Sequence, residues 1–373
     1  MKAFKLYPGI TEYTEFADFA AAAKLGAEDL ILTNEYIYNP VIAALNLGCQ
    51  TLFQEKYGAG EPSDVMVDAI LDELRSRKYN RIIAVGGGTI IDIAKVLAVA
   101  TAEDKVDDLY EKMADLQKIH ELIIVPTTCG TGSEVTNISI INRTTKGVKQ
   151  GIVSPAMYAD EAALIPGMLK TLPYGVFATS SIDAMIHAVE SYLSPNACPI
   201  SEMFSKAALE MIITDWMEAV EAGGKDAWKM NAARFLRASN YAGIAFGYAG
   251  CAAVHALSYP IGSVHHVPHG QSNQLMFADV MKKYQEKKPI GKINQLEEIL
   301  APMLQVEPVF ALANLYQLMD DVLKKAPLRE HGVTADELPV FTQNVLDTQQ
   351  RLLNNNYVEL SYEDILDIYK NAF

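Results

Sequence analysis

The 373-residue sequence holds only four cysteines, at 49, 129, 198 and 251. None stands in a CxxC pair or in the spaced framework of a secreted disulfide scaffold, so free thiols in a reducing cytoplasm are expected. Basic residues are also short. Against 46 Asp and Glu there are 31 Lys and Arg, a net charge of −15. Nucleic acids and anionic membranes both demand basic patches, so neither is expected as a partner. No apolar run approaches the roughly 18–20 residues of a spanning helix. The opening MKAFKLYPGITEY lacks the apolar core of a signal peptide. Histidine is scarce too, with seven in all, yet four fall between His255 and His269: His255, His265, His266 and His269.

What is present describes an ordinary globular chain. Apolar residues make up 50% and charged residues 21%, over a length suited to two domains or one large one. Residues 1–167 alternate between short apolar runs and helical spacing. DLILT (29–33), RIIAV (81–85) and ELIIV (121–125) read as buried strands. SDVMVDAILDELRSR (63–77) has helical apolar spacing with Ser63 as N-cap, and a further helix is expected over 89–101. That alternation predicts an α/β domain with a parallel sheet. From 168 to 373 helical patterns dominate, over 171–193, 201–221, 226–249 and from Pro308 onward. Pro166-Gly167 is the natural breaker between an α/β domain, 1–167, and a helical domain, 168–373. KKYQEKK (282–288) reads as a solvated loop.

Two stretches in the first half offer themselves to phosphate. Gly86-Gly87-Gly88-Thr89 lies where a strand hands over to a helix, and free N–H groups at a helix start attract anions. Thr89 and Asp92 have the spacing of a capping box. After the next strand comes PTTCGTGSEVT (126–136), dense in hydroxyls and glycine. Two such loops beyond the carboxyl ends of parallel strands could hold a dinucleotide. In the second half, Asp183 and His187 are four apart and share a helix face. With His255 and His269 they form a candidate four-ligand nitrogen and oxygen metal site.

At these residues the chain resembles the iron-containing alcohol dehydrogenase family. The pieces are GGGTIIDIAK (86–95), PTTCGTGSEVT (126–136), IDAMIHAVESYLS (182–194) and VHALSYPIG followed by PHG (254–270), in family order over nearly the whole chain. The resemblance implies a dehydroquinate synthase-like architecture, an N-terminal dinucleotide-binding α/β domain and an all-α C-terminal domain with the metal between them. It places the metal ligands on Asp183, His187, His255 and His269. Cofactor contacts fall on Gly86, Gly87, Gly88, Thr89, Asp92, Thr127, Thr128 and Lys149. VHALSYPIG and HHVPHG are most similar to the members that oxidise 4-hydroxybutyrate to succinate semialdehyde. Butanol, 1,3-propanediol and glycerol are the alternative substrates.

Three positions depart from the family pattern. Asn34 stands where an Asp commonly meets the ribose, so NAD is expected without strict exclusion of NADP. Tyr259 replaces a histidine often linked to proton relay, and Ser181 replaces a glycine. His265 is therefore the expected relay, with His266 and Tyr259 as the other candidates, since a phenol near its ordinary pKa of about 10 is a poor base. A substrate carboxylate needs a cation or several donors. His265 and His266 are the candidates, and Arg143, Arg234 or Arg237 serve only if the fold brings them near. One divalent metal, Fe2+ ahead of Zn2+, and a homo-oligomer, dimer or higher, complete the expectation.

Overall fold

The apolar runs at 29–33, 81–85 and 121–125 are strands of a sheet buried on both faces. The computed structural model describes residues 3–373, which divide into two compact units, Ala3–Leu172 and Pro173–Phe373. The first unit runs β1 (Gly9–Glu12), α1 (Phe16–Ala22), β2 (Asp29–Thr33), α2 (Glu35–Val41), β3 (Gln50–Phe53), α3 (Asp64–Leu74), β4 (Arg81–Gly86), α4 (Gly88–Leu97), α5 (Val106–Glu111), β5 (Glu121–Pro126), β6 (Ile138–Arg143), β7 (Val148–Val153) and β8 (Glu161–Leu164). Six strands form one parallel sheet in the order β1-β8-β5-β4-β2-β3, and β6 with β7 makes an antiparallel hairpin. Along the central strands, Leu30, Ile82 and Leu122 face a core shared with Val67 and Ile70 of α3 and Ile91 and Ala94 of α4. Their neighbours Ile31, Ile83 and Ile123 point the other way and are equally buried. Burying each such side chain contributes about 1.5–3 kcal/mol. Alternation is absent from these runs because neither face meets water.

The strand order matters for function. From β2 the chain steps outward to β3, then crosses to β4 and proceeds to β5 and β8, so the direction reverses between β2 and β4. Beyond the carboxyl ends of such a reversal the flanking loops diverge and leave a crevice. Asn34 directly follows β2 there, and Gly86 ends β4.

The second unit is helical: α6 (Tyr174–Leu193), α7 (Pro199–Ala222), α8 (Ala232–Ala249), α9 (Ala253–His265), α10 (His269–Lys287), α11 (Lys292–Leu304), α12 (Ala311–Val322), α13 (Glu337–Thr348), α14 (Gln350–Leu353) and α15 (Tyr362–Ala372). The division between the units falls at Pro173, the N-cap of α6, rather than after Gly167. Pro166–Leu169 makes a single 3-10 turn whose Met168 and Leu169 stay buried, so the breaker pair turns the chain without ending the unit. From Ser181 to Leu193 every residue of α6 is buried, as in a helix hydrophobic all round. Ser181 accepts a hydrogen bond from the Trp216 indole at 3.0 Å, which gives the serine there a packing role. The expected charged loop at 282–288 is instead mostly helix: α10 continues to Lys287, and Lys283 and Lys287 pair with Asp364 of α15. No single helix among the described residues is long and apolar enough to cross a membrane.

Candidate metal centre and nucleotide loops

Helix α6 carries Asp183, His187 and Glu190 at i, i+4 and i+7, a spacing that stacks them on one face. All three are buried. Helix α9 brings His255, and α10 begins at His269. The turn between them is made by His266 in the left-handed region, φ 55°, and by Pro268. What seats α10 against α6 is Gly270. A Cβ there would stand 1.9 Å from the Thr179 carbonyl oxygen and 3.3 Å from the Asp183 Cβ. Only glycine lets the two backbones approach so closely.

Asp183 Oδ1 lies 3.5 Å from His255 Nε2 and 3.5 Å from His269 Nε2. Tetrahedral coordination with bonds of about 2.0–2.2 Å needs donors roughly 3.4 Å apart, so this oxygen–nitrogen–nitrogen set fits a first-row divalent ion. His187 stands beside it, with Nδ1 3.9 Å from Asp183 Oδ2. Its ring stacks between Phe246, at 4.2 Å, and His255, at 4.6 Å. His187 and His255 also form an overlapping donor group with the buried Cys251 thiol.

The charge balance points the same way. Burial disfavours ionised Asp183, but His187 and His269, then His255, hold its carboxyl well below the usual range. Burial likewise opposes a charged His255, yet Glu190 and Asp183 push it up to about 9. Two buried carboxylates thus draw positive charge to this spot, a role a divalent ion can take over by displacing the proton. Asn273, one turn into α10, faces the donors directly. Its amide nitrogen is 2.8 Å from Asp183 Oδ1, 3.2 Å from His255 Nε2 and 3.3 Å from His269 Nε2. Its Oδ1 is buried without a partner, an orphan acceptor beside a set of metal-type donors.

Glu190 orders the third element. Its carboxylate accepts the Ala252 N–H at 2.9 Å and the Val254 N–H at 2.7 Å, capping α9 from outside, and meets His255 Nδ1 at 2.6 Å. An acceptor-only group on Nδ1 keeps the proton there and leaves Nε2 to face Asp183. Glu190, Asn273 and Cys251 were all missed in the sequence. The i+7 spacing of Glu190 and the i+4 spacing of Asn273 from His269 were the available signals.

Around this centre the other expected residues separate. The Tyr259 ring neighbours His269 at 6.1 Å. His265 Nε2 is 3.1 Å from Glu337 Oε1, and His266 is exposed. Arg234 pairs with Asp215 at 2.9 Å. Arg143, in the first unit, pairs with Asp107 and covers the Tyr110 ring.

In the first unit the two glycine-bearing loops are locked together. A Cβ on Gly87 would meet Thr128 Cγ2 at 3.2 Å, and one on Gly88 would meet Thr131 Cγ2 at 3.0 Å. The Thr127 N–H donates to the Gly86 carbonyl at 3.0 Å. Beneath them Lys95 is fully buried and donates to Ser133 Oγ, Thr136 Oγ1 and the Ile138 carbonyl at 2.6, 3.0 and 2.8 Å. Burial draws its pKa down to about 8, against the pull of Asp92 and Glu134. The capping box expected from Thr89 and Asp92 does not form. Helix α4 starts one residue earlier, at Gly88, with Gly87 as N-cap. Thr89 Oγ1 donates to the Gly60 carbonyl, while Asp92 accepts Ser133 Oγ and the Ile140 N–H, each at 2.9 Å. Asp92 therefore braces the second loop. Lys149 Nζ lies 2.8 Å from Glu61, and Asn34 is buried at the end of β2.

Comparison with known proteins bears on both units. A model described as iron-containing alcohol dehydrogenase matches residues 11–166, and one for the C-terminal part of the Fe-containing alcohol dehydrogenase family matches 177–373. A 4-hydroxybutyrate dehydrogenase of Clostridium kluyveri is 48% identical over 374 residues, covering 100% of each chain. Long-chain-alcohol dehydrogenase 1 of Geobacillus thermodenitrificans is 32% identical, over 94% of this chain and 91% of that one. Among solved structures, sulfoacetaldehyde reductase from Bifidobacterium kashiwanohense in complex with NAD+ shares the fold. Its TM-score is 0.85 at 21% identity, over 100% of this chain and 98% of that one.

Proposed function

The chain belongs to the iron-containing alcohol dehydrogenase family, and we propose that it interconverts 4-hydroxybutyrate and succinate semialdehyde with NAD(H). A bound nicotinamide would exchange hydride with the carbinol carbon and so would supply the redox chemistry, while the protein positions both. The observation that carries the reading is the convergence of buried Asp183 and His255 with partly buried His269, both histidine Nε2 atoms standing 3.5 Å from Asp183 Oδ1. The end-to-end 48% identity with a 4-hydroxybutyrate dehydrogenase supports the choice of substrate.

Asp183, His187, His255 and His269 would hold one divalent ion, iron(II) ahead of zinc. When bound, such an ion polarises the substrate oxygen as a Lewis acid. The protein residues supply the rest. Glu190 fixes the His255 tautomer, and Asn273 donates to Asp183. Burial keeps bulk water from the carboxylates and sharpens every charge interaction there. We assign the proton to His265, which Glu337 orients at 3.1 Å, with Tyr259 as the second candidate beside His269. In the first unit, Gly86, Gly87, Gly88, Thr89, Thr127, Thr128 and Lys149 would receive the dinucleotide at the β2–β4 reversal, with Asp92 holding their loops. His265 and His266 are the proposed partners of the substrate carboxylate. The enzyme is proposed to work in the cytoplasm as a homo-oligomer, which light scattering would show as a mass of at least two chains.

One observation favours a second reading, an uncharged alcohol such as butanol, 1,3-propanediol or glycerol. Arg234 is matched by Asp215 and the His265 ring by Glu337, so these groups already have acidic partners. Initial rates on 4-hydroxybutyrate, butanol, 1,3-propanediol and glycerol, each with NAD and NADP, separate the two. The proposal expects the highest kcat/KM for 4-hydroxybutyrate with NAD. A higher value for an uncharged alcohol would reverse the assignment.

A further inference from the structure

The nucleotide reading leaves a gap at Asn34. An uncharged side chain at the end of β2 cannot repel the 2′-phosphate of NADP. The structure fills that corner from a different strand. β2 and β3 are paired with Thr33 opposite Phe53, so Asn34 and the residues after Phe53 emerge together at the carboxyl edge of the sheet. Two positions beyond the Leu32–Ala84 pairing of β2 with β4 lie Asn34 and Gly86, which puts this corner beside the glycine loop. Gln54 is buried and anchored, its amide donating to the Gly58 carbonyl at 2.9 Å. Asn34, also buried, donates from Nδ2 to Gln54 Oε1 at 3.1 Å and to Glu55 Oε2 at 2.8 Å. The other carboxylate oxygen of Glu55 accepts the Glu35 N–H at 2.5 Å. Glu55 itself is exposed.

We propose that Glu55, held in place by Asn34, is the residue that selects NAD over NADP; this rests on the reading of the chain as a nicotinamide-dependent dehydrogenase. The chemistry is direct. An ionised carboxylate only accepts, and with one N–H taken by each oxygen it keeps lone pairs for the two hydroxyls of an adenosine ribose. A 2′-phosphate donates nothing and brings negative charge against a carboxylate tethered at both oxygens. Asn34 is the positioning residue. As an amide it can donate to Glu55, which an aspartate at 34 could not do when ionised.

The test is steady-state kcat/KM for NAD and NADP, with NADH and NADPH binding followed by fluorescence, in wild type, Glu55→Gln and Asn34→Ala. Glu55→Gln is expected to raise the NADP-to-NAD ratio about tenfold or more, the effect of roughly 1.4 kcal/mol. It should raise KM for NAD while leaving kcat with NAD nearly unchanged, because the adenosine end is remote from the hydride. Asn34→Ala should move the ratio the same way by a smaller factor, since Glu55 then loses one of two tethers. An unchanged ratio in Glu55→Gln, with both nucleotides still bound, overturns the assignment while leaving the dehydrogenase reading standing. Wild-type protein that binds neither nucleotide overturns both.

Discussion

Single side chains in this molecule do their work by holding other side chains. The Glu190 side chain is fully buried, and its carboxylate bonds to the start of α9 and to His255. Replacing it by Gln keeps the volume but turns one acceptor into a donor. With the amide nitrogen at the Oε1 place the Val254 N–H loses its acceptor; with it at the Oε2 place the Ala252 N–H loses its acceptor and the His255 proton must move to Nε2. Glu190→Gln is expected to weaken metal binding about 10- to 100-fold in a chelator competition, with the far-ultraviolet circular dichroism preserved. An unchanged affinity would reduce Glu190 to a helix cap. The same residue sets a pH dependence. With His255 pushed up to about 9, the metal-free protein carries the proton on this ring at neutral pH and sheds it only above that value. Metal uptake must expel this proton. Apparent affinity should therefore rise with pH, about tenfold per unit, and flatten above about 9. Titration of metal into stripped protein at several pH values checks the slope.

At the scale of elements, the centre depends on how closely α10 lies on α6. Gly270→Ala would drive a methyl group into the Thr179 carbonyl, and the helices would have to separate. His269 and Asn273 would then withdraw from Asp183. The expected result is loss of metal retention on a desalting column, with thermal stability lowered by about 1–3 kcal/mol as overpacking usually costs. A variant that keeps its metal at the wild-type level would show that the contact is not critical. This close approach was not legible beforehand, because a glycine after a histidine reads as a turn until the facing carbonyl is known. Other elements were readable. The runs DLILT, RIIAV and ELIIV announced doubly covered strands because fully buried strands leave no polar alternation. Ser63 caps α3 as its position implied, accepting the Met66 N–H at 3.1 Å. The exposed edge strand β1 and the hairpin of β6 and β7 escaped notice, since neither carries a long apolar run. Thr89 and Asp92 had the spacing of a cap but serve other partners, because tertiary contacts across β6 and the second loop outweigh a local motif.

For the whole molecule, the histidine-rich stretch resolves into distinct roles. His255 and His269 converge on Asp183, whereas His265 turns to Glu337 and His266 makes the left-handed turn that lets α10 reverse onto the site. The sequence already set His255 and His269 apart from His265 and His266; what it could not supply is the partner of His265, because Glu337 of α13 lies some seventy positions further along the chain. The most direct test of the account is NADH formation from 4-hydroxybutyrate by protein stripped of metal and then reloaded anaerobically with iron(II), alongside His269→Ala treated identically. Stripping is expected to abolish turnover, iron(II) to restore it in wild type, and His269→Ala to stay inactive while remaining folded. Undiminished turnover in stripped protein, or full activity in His269→Ala, would contradict it.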